Sequence, residues 1–409
     1  MMIKKINFFL LILLFPLSVY ADKTFTIEKI GERMPITSPI AEFNPELDSY
    51  PDPFPSDQIL LTINIDNYNV YRDSILTPGQ IKMFETYPET FKMNIYPSRR
   101  SCAVPPEVLE LTNENALLVN EGEGVEGVVG SIPFPNPTEA LHHVWNHILR
   151  YRGVEIYGAS PFYIINPDGT RTYGAGEAVA KNFWNPFVSN EERGLQGMLM
   201  TKVTHPPRLA DASTLVIESL NAFKTPRKAW VYNPGTRRVR RGPDITYDYK
   251  PSASQGLTTV DQVDGFNGAK DRYNWTGLGT QLRLMPYNAY KFHEATVEEI
   301  LTPFHVNQDY LRYELVNVNV VEANLKNDKR HIIPNRIMYF DLDSHNMLVE
   351  ETFDDKSDLM TYREFPIINF YDQPMCLSIH AATYDFVTRR YQLQSVRSSD
   401  LPKVKWRLE

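Results

Sequence analysis

Residues 335–365 set the narrowest limits on what this chain can fold into. Three apolar-rich segments, residues 335–342, 347–353 and 358–365, are separated only by Asp343-Ser344-His345-Asn346 and Asp354-Asp355-Lys356-Ser357. Connections this short, made of residues that tolerate turn geometry, make neighbouring strands pair antiparallel. An antiparallel meander is therefore expected. Further strands are expected at residues 58–67, 91–96, 160–166, 198–204, 214–221 and 311–325. Aromatic residues make up 12% of the 409 residues, with 23 Tyr, 21 Phe and 30 Pro. That mixture favours strands and turns over helix bundles.

Helices are expected to be few. The clearest covers residues 138–151, started by Asn136-Pro137-Thr138-Glu139 and stopped by Gly153. Leu141, Val144, Trp145, Ile148 and Leu149 recur at helical spacing and form one apolar stripe. Arg150 and Arg152 close its C-terminal end, where cations suit the helix dipole. Thr77 and Pro78 read as the N-cap and first position of a short helix, and residues 296–301 suggest another. No repeat or low-complexity linker divides the chain. One domain over residues 22–409 is expected, with a Pro-rich arm at residues 22–57 lying over the body.

The chain opens as an exported protein would. Lys4 and Lys5 precede an apolar run that ends in Val19-Tyr20-Ala21, so a signal peptide at residues 1–21 and cleavage after Ala21 are expected. The run is shorter than the ~20 apolar residues of a membrane span. No Cys follows it, and no later stretch reads as a span, so a soluble periplasmic product is expected. The net charge of −8 gives no global field for nucleic acid or an anionic membrane. In an oxidising compartment Cys102 and Cys376 are either one disulfide or two separate buried thiols.

The densest functional signal is residues 225–248. Asn233-Pro234-Gly235-Thr236 supplies a turn between a strand with Trp230 and Tyr232 and one with Arg237, Arg238, Arg240 and Arg241. An ordinary hairpin with a solvated basic strand would look like this. So would the wall of an amphiphile site, with aromatics against the apolar part and Arg at an anionic head group. The expectation is that Arg238 and Arg240 share a face with Trp230 and Tyr232. Phe183 and Trp184, in an aromatic run ending at Phe187, read as a core plug or a cavity wall, and Trp145 as helix stripe or cavity lining.

Other motifs weigh less. Gly122, Gly124 and Gly127 match a dinucleotide-binding spacing, but Val128-Val129-Gly130-Ser131-Ile132-Pro133 cannot be the helix that would hold the pyrophosphate. Glu139, His143 and His147 follow helical spacing with His142 adjacent, yet Val144 stands where a zincin needs Glu; capping or surface roles are expected, and no metal or cofactor. Asp341 and Asp343 beside His345 offer a hydrolase alternative, while turn chemistry explains the same residues.

Several segments occur together: Tyr87-Pro-Glu-Thr-Phe, Ile132-Pro-Phe-Pro, Trp145-Asn-His-Ile-Leu-Arg-Tyr-Arg-Gly, Pro206-Pro-Arg-Leu-Ala, the Arg227 to Arg241 hairpin, Phe266-Asn-Gly, Asp271-Arg-Tyr, Pro286-Tyr-Asn, His331, and Tyr339-Phe-Asp-Leu-Asp. In this set, covering nearly all of the expected mature chain, the sequence resembles an uncharacterised family of exported Gram-negative proteins labelled outer-membrane lipoprotein-sorting-like. His142 and His143 depart from it, standing where apolar or acidic residues are expected. The resemblance implies a LolA/LolB/LppX-type fold: mainly β, a strongly curved antiparallel half-barrel sheet closed by helices around an apolar cavity. It implies a periplasmic carrier or chaperone for a hydrophobic or amphiphilic ligand, a lipid or acylated molecule, with an envelope transporter or outer-membrane protein as partner. A periplasmic hydrolase and a non-binding structural partner of an envelope complex are the alternatives.

Overall fold

The structure, a computed structural model, describes residues 49–407 except 103–104, 116–123, 126–127, 129–130, 184–193, 223, 243–246, 252–253, 372–374, 379 and 395–404. The expected signal peptide, the arm as far as residue 48, and Trp184 lie outside the described residues.

The strands are β1 (Leu61–Ile63), β2 (Met93–Ile95), β3 (Glu155–Ala159), β4 (Phe162–Ile165), β5 (Arg171–Asn182), β6 (Leu195–His205), β7 (Ser213–Ser219), β8 (Lys228–Asn233), β9 (Arg238–Arg241), β10 (Tyr273–Pro286), β11 (Tyr313–Leu325), β12 (Asn335–Asp341), β13 (Met347–Phe353), β14 (Leu359–Glu364), β15 (Ile368–Phe370), β16 (Met375–Leu377), β17 (Ala381–Asp385), β18 (Arg390–Gln394) and β19 (Lys405–Arg407). The helices are α1 (Tyr68–Tyr71), α2 (Pro78–Thr86), α3 (Pro106–Asn115), α4 (Ala140–Leu149), α5 (Tyr290–Glu294) and α6 (Val297–Ile300).

Among the described residues seventeen strands form one large curved sheet that does not close into a barrel. Its main ladder is antiparallel throughout and runs β10–β11–β12–β13–β14–β17–β18–β4–β5–β6–β7–β8–β9. β5 joins the two halves. It takes β4 and then β3 along one side and β6 along the other. The expected meander is β12–β13–β14, and its two turns place His345 and Ser357 at positive φ.

Strands β11–β13 are buried on both faces. On one, Val318, Val320, Tyr339 and Val349 pack with Met83 and Phe84 of α2, Phe292 of α5 and Ile300 of α6. On the other, Val321, Ala323, Met338, Phe340 and Met347 pack with the α4 stripe of Leu141, Val144, Trp145, Ile148 and Leu149. Helix α2 begins where its sequence indicates: Thr77 and Gln80 form a capping box around Pro78. Helix α4 ends at Leu149, before Gly153, because Arg150 turns to extended backbone. Its guanidinium reaches Asp264 (2.6 Å), Asn346 (2.7 Å) and the His147 carbonyl. Arg152 donates to the Ile148 carbonyl (3.0 Å) and also pairs with Asp264. Both cations cap the helix as expected and pin a distant loop as well.

Two further ties close the body. Cys102 and Cys376 are bonded, with Cα atoms 5.5 Å apart, which settles the two readings of the cysteines. Arg336, fully buried, bridges Glu350 (2.8 Å) and Asp261 (2.5 Å), and Arg363 donates to Glu350 (2.6 Å). The described end of the arm docks on the body: Tyr50 packs edge-on against Phe370, and Asp57 takes Arg99 and Arg312. Among the described residues no helix is long and apolar enough to cross a membrane.

Candidate functional site

The other half of the sheet, β5–β9 with β3, is built differently. Residues directly opposite in a ladder share a face. The register aligns Tyr157, Val179, Met200, Leu215, Trp230 and Arg241 in one row across six strands. Beside it runs Lys181–Met198–Ile217–Lys228, and on the other side Glu177–Lys202–Ser213–Tyr232–Val239. The alternation of Met198-Leu199-Met200 and Trp230-Val231-Tyr232 puts the large side chains here. The reverse face carries Ala180, Leu199, Val216 and Ala229, of which Val216 and Ala229 are buried.

The Trp230 face remains half-open. Tyr157, Val179, Met198, Leu215, Ile217, Trp230 and Tyr232 are half-buried, and Met200 and Val239 are 44% and 64% exposed. An apolar surface spanning several strands, bounded by Lys181, Lys228 and Arg241, can hold an extended apolar chain with an anionic end at the rim.

The hairpin register corrects one expectation. Asn233 pairs with Arg238, leaving the four residues 234–237 as the connection, with Arg237 at φ 53. A connection with an even number of residues pairs even-numbered positions with odd ones. Trp230 and Tyr232 therefore share their face with Arg241 and Val239, and Arg238 and Arg240 lie on the reverse face with Val231. All four residues of β9 are exposed. Among the described residues the ladder ends at β9, so charge here also guards an open sheet edge.

The remaining expected residues do not join this face. Trp145 is fully buried in the α4 core. Phe183 is buried just after β5, its N–H donating to the Gln196 carbonyl and Lys181 Nζ lying 5.7 Å from its ring centre. The structure thus brings together Trp230 and Tyr232 and adds Val179, Met198, Met200, Leu215, Ile217 and Arg241.

Asp341 and Asp343 line a separate cleft of about 80 Å³ with Arg99, Arg100, Tyr287, Glu314 and the apolar Leu315 and Leu342. Asp341 accepts from the Ser344 N–H (2.8 Å) and hydroxyl (2.5 Å) and from Tyr287 (3.1 Å). Asp343 takes both donors of Arg100, at 2.7 and 2.5 Å. Burial, with Asp343 beside it, pushes the Asp341 carboxyl up to about 6. Burial pushes Glu314 up to about 7 against the pull of Arg312. The His345 N–H donates to the Asp341 carbonyl (3.1 Å), a backbone contact within the turn. Ion pairing and turn capping account for both.

Two of the three histidines of α4 are also engaged, while His143 Nδ1 is buried without a hydrogen-bond partner. His142 Nδ1 accepts from the Thr138 and Glu139 N–H groups, at 3.1 and 3.3 Å, and the ring stacks on Phe134. His147 accepts from the Met347 N–H at Nδ1 (3.0 Å), and its Nε2 lies 2.7 Å from the Asp264 carbonyl. Burial, aided by Arg150, pushes its imidazole down to about 3. Among the described residues no group of three His, Cys, Asp or Glu is placed to hold a metal.

Together these features define a mainly β protein: one open curved sheet, clamped on both faces in one half and offering an apolar face in the other. The chain belongs to the DUF1329 family, whose model, described as "Protein of unknown function", matches residues 62–409. It is 36% identical over 358 residues to "Uncharacterized protein PA3922" of Pseudomonas aeruginosa, a match covering 85% of this chain and 78% of that protein. Among solved structures it is similar to a DUF1329 family protein from Desulfovibrio piger, with TM-score 0.43 and 12% identity over 62% of this chain and 86% of the other. It is also similar to the LolA superfamily protein NE2245 from Nitrosomonas europaea, with TM-score 0.41 and 10% identity over 66% of this chain and 94% of the other.

Proposed function

We propose that this protein is a periplasmic carrier or chaperone for a hydrophobic or amphiphilic ligand, a lipid or an acylated molecule, serving transport across the envelope. The half-open face of Val179, Met200, Leu215 and Trp230, ending on Arg241, carries this reading. Shielding about 300 Å² of acyl chain on it is worth about 7 kcal/mol before the costs of ordering. The cationic rim gives an anionic head group a charged hydrogen-bond partner. The Cys102–Cys376 disulfide and the leader-like residues 1–21 suit an exported protein. A transporter or outer-membrane protein would take up the cargo.

Native mass spectrometry of protein purified from a Gram-negative host tests this. Wild type should carry copurifying lipid. Met200→Glu with Leu215→Glu should be lipid-free yet folded, because both side chains are partly in solvent already. A clean apo mass for wild type would refute the carrier reading and favour a structural partner of an envelope complex.

A further inference from the structure

The apolar face exposes a chemistry that the core keeps out of reach. Met198 and Met200 stand two residues apart on β6, so they share the side of the sheet that carries Val179, Leu215, Ile217 and Trp230. Met200 is paired with Val179 on one side and Leu215 on the other, and Met198 with Lys181 and Ile217. Met200 is 44% exposed and Met198 is half-buried. Neither belongs to the hydrophobic clusters that fill the body. The other methionines among the described residues are placed differently. Met83, Met93, Met285, Met338, Met347 and Met375 are at most 2% exposed. Met360 is half-buried, but it lies on β14, in the other half of the sheet.

An oxidant dissolved in water therefore meets the β6 pair, Met200 first, before any thioether of the core. With a peroxide, a sulfur lone pair attacks one peroxide oxygen. The S–O bond forms as the O–O bond breaks, sulfur gives up two electrons, and the second oxygen leaves as water with both peroxide protons. The product is a polar, chiral sulfoxide in place of a flexible apolar side chain. On a face that shields alkyl carbon, this sets a hydrogen-bond acceptor against a ligand that offers no donor, and stripping water from that acceptor costs free energy. Val or Ile at the same two positions would suit a strand better and cover the ligand as well, without this reactivity.

We propose that Met198 and Met200 are an oxidation site that switches the apolar face off: their sulfoxidation by a peroxide makes the protein release its hydrophobic ligand. The order of oxidation stands on exposure alone, and the release rests on the carrier reading.

Hydrogen peroxide tests it on the full mature chain, with tandem mass spectrometry to map each sulfoxide and native mass spectrometry to read bound lipid before and after. Met200 and Met198 should convert while the buried methionines remain thioethers, and lipid retention should fall by about tenfold or more as they do. Equal rates at all methionines would overturn the site, and conversion without loss of lipid would overturn the switch. Met198→Leu with Met200→Leu should hold the same fraction of its own starting lipid with and without peroxide. Met360→Leu should lose lipid on treatment as wild type does. Peroxide-driven loss from the double variant would place the effect elsewhere and overturn the inference. The carrier reading fails separately, on untreated wild type that carries no lipid. The face is then read with the dye N-phenylnaphthylamine: lower fluorescence after sulfoxidation of Met198 and Met200 supports the switch, and unchanged fluorescence overturns it.

Discussion

Glu364 should make this protein less stable as pH rises from mildly acidic values toward neutrality. Its carboxyl is fully buried at the end of β14, facing the hydroxyls of Tyr313 (2.9 Å), Tyr384 (3.0 Å) and Tyr362 (3.2 Å), with no cation in ion-pair contact among the described residues. Tyr313 Oη also lies 3.1 Å from Gln308 Oε1, whose amide is oriented by its own donation to the Val306 carbonyl. One hydroxyl proton cannot serve both acceptors. If Gln308 takes it, Glu364 must carry a proton to donate in return. Burial pushes this carboxyl from 4.5 up to about 7. The folded state then holds a proton that the unfolded state releases between about pH 4.5 and 7. Stability falls across that window and levels off above it. At about 1.4 kcal/mol per unit, the loss is about 3 kcal/mol. Glu364→Gln keeps the shape and removes the titration. In urea unfolding, the stability of the variant relative to wild type should improve by about 3 kcal/mol between pH 5 and pH 8. The comparison is differential because Glu314 and Glu351, also pushed up to about 7 by burial, add to the slope in both proteins. A difference independent of pH would refute the reasoning.

Three other outcomes follow from the structure. The disulfide closes a loop with a sequence separation of 274; on the chain-entropy model, replacing both Cys by Ser should cost about 6 kcal/mol in denaturant unfolding, and a loss near zero would count against it. Trp145→Ala should cost about 3–5 kcal/mol, because the ring is buried in the α4 core, and an unchanged Tm would contradict that packing. Replacing Arg238 and Arg240 by Thr should promote self-association in light scattering and leave lipid retention intact, whereas Arg241→Gln should weaken retention of an anionic ligand by about tenfold; equal effects would undo the register argument.

The parts of the fold legible in sequence were those fixed by local chemistry. The β12–β14 meander follows from two turns rich in Asp and Ser, α2 from the Thr77–Gln80 capping box, and α4 from its apolar stripe. Strands β5 and β10 were not foreseen, because both carry glycines that imitate turns. Gly174 in β5 is required by its cross-strand neighbour, since a Cβ there would lie 2.1 Å from the Phe162 ring. Gly279 in β10 has φ +79 where the pairing with β11 shifts register between Gly277 and Thr280. The candidate site was legible only in part, for the same reason. Aromatic density pointed to Trp230 and Tyr232, but Val179, Met200 and Leu215 meet them only through pairing across β5–β8. The face assigned to each Arg depended on the parity of the connection at residues 234–237, which the turn motif alone does not fix.

One physical requirement links the two halves of the sheet. A strand ladder with an apolar, half-open face and an unpaired last strand presents both the surface and the hydrogen-bonding edge that drive sheet-to-sheet aggregation. Such a ladder is sustainable only if stability comes from elsewhere and the edge is blocked. Here β11–β13, packed on both faces, supply stability, and β5 is hydrogen-bonded into the open half as one continuous strand. The edge is blocked by β9, whose guanidinium groups are costly to bury against another strand. Arg238 and Arg240 can serve that purpose from the reverse face. Arg241 stands at the end of the Trp230 row, so the same guanidinium lies both at the sheet edge and beside the apolar face.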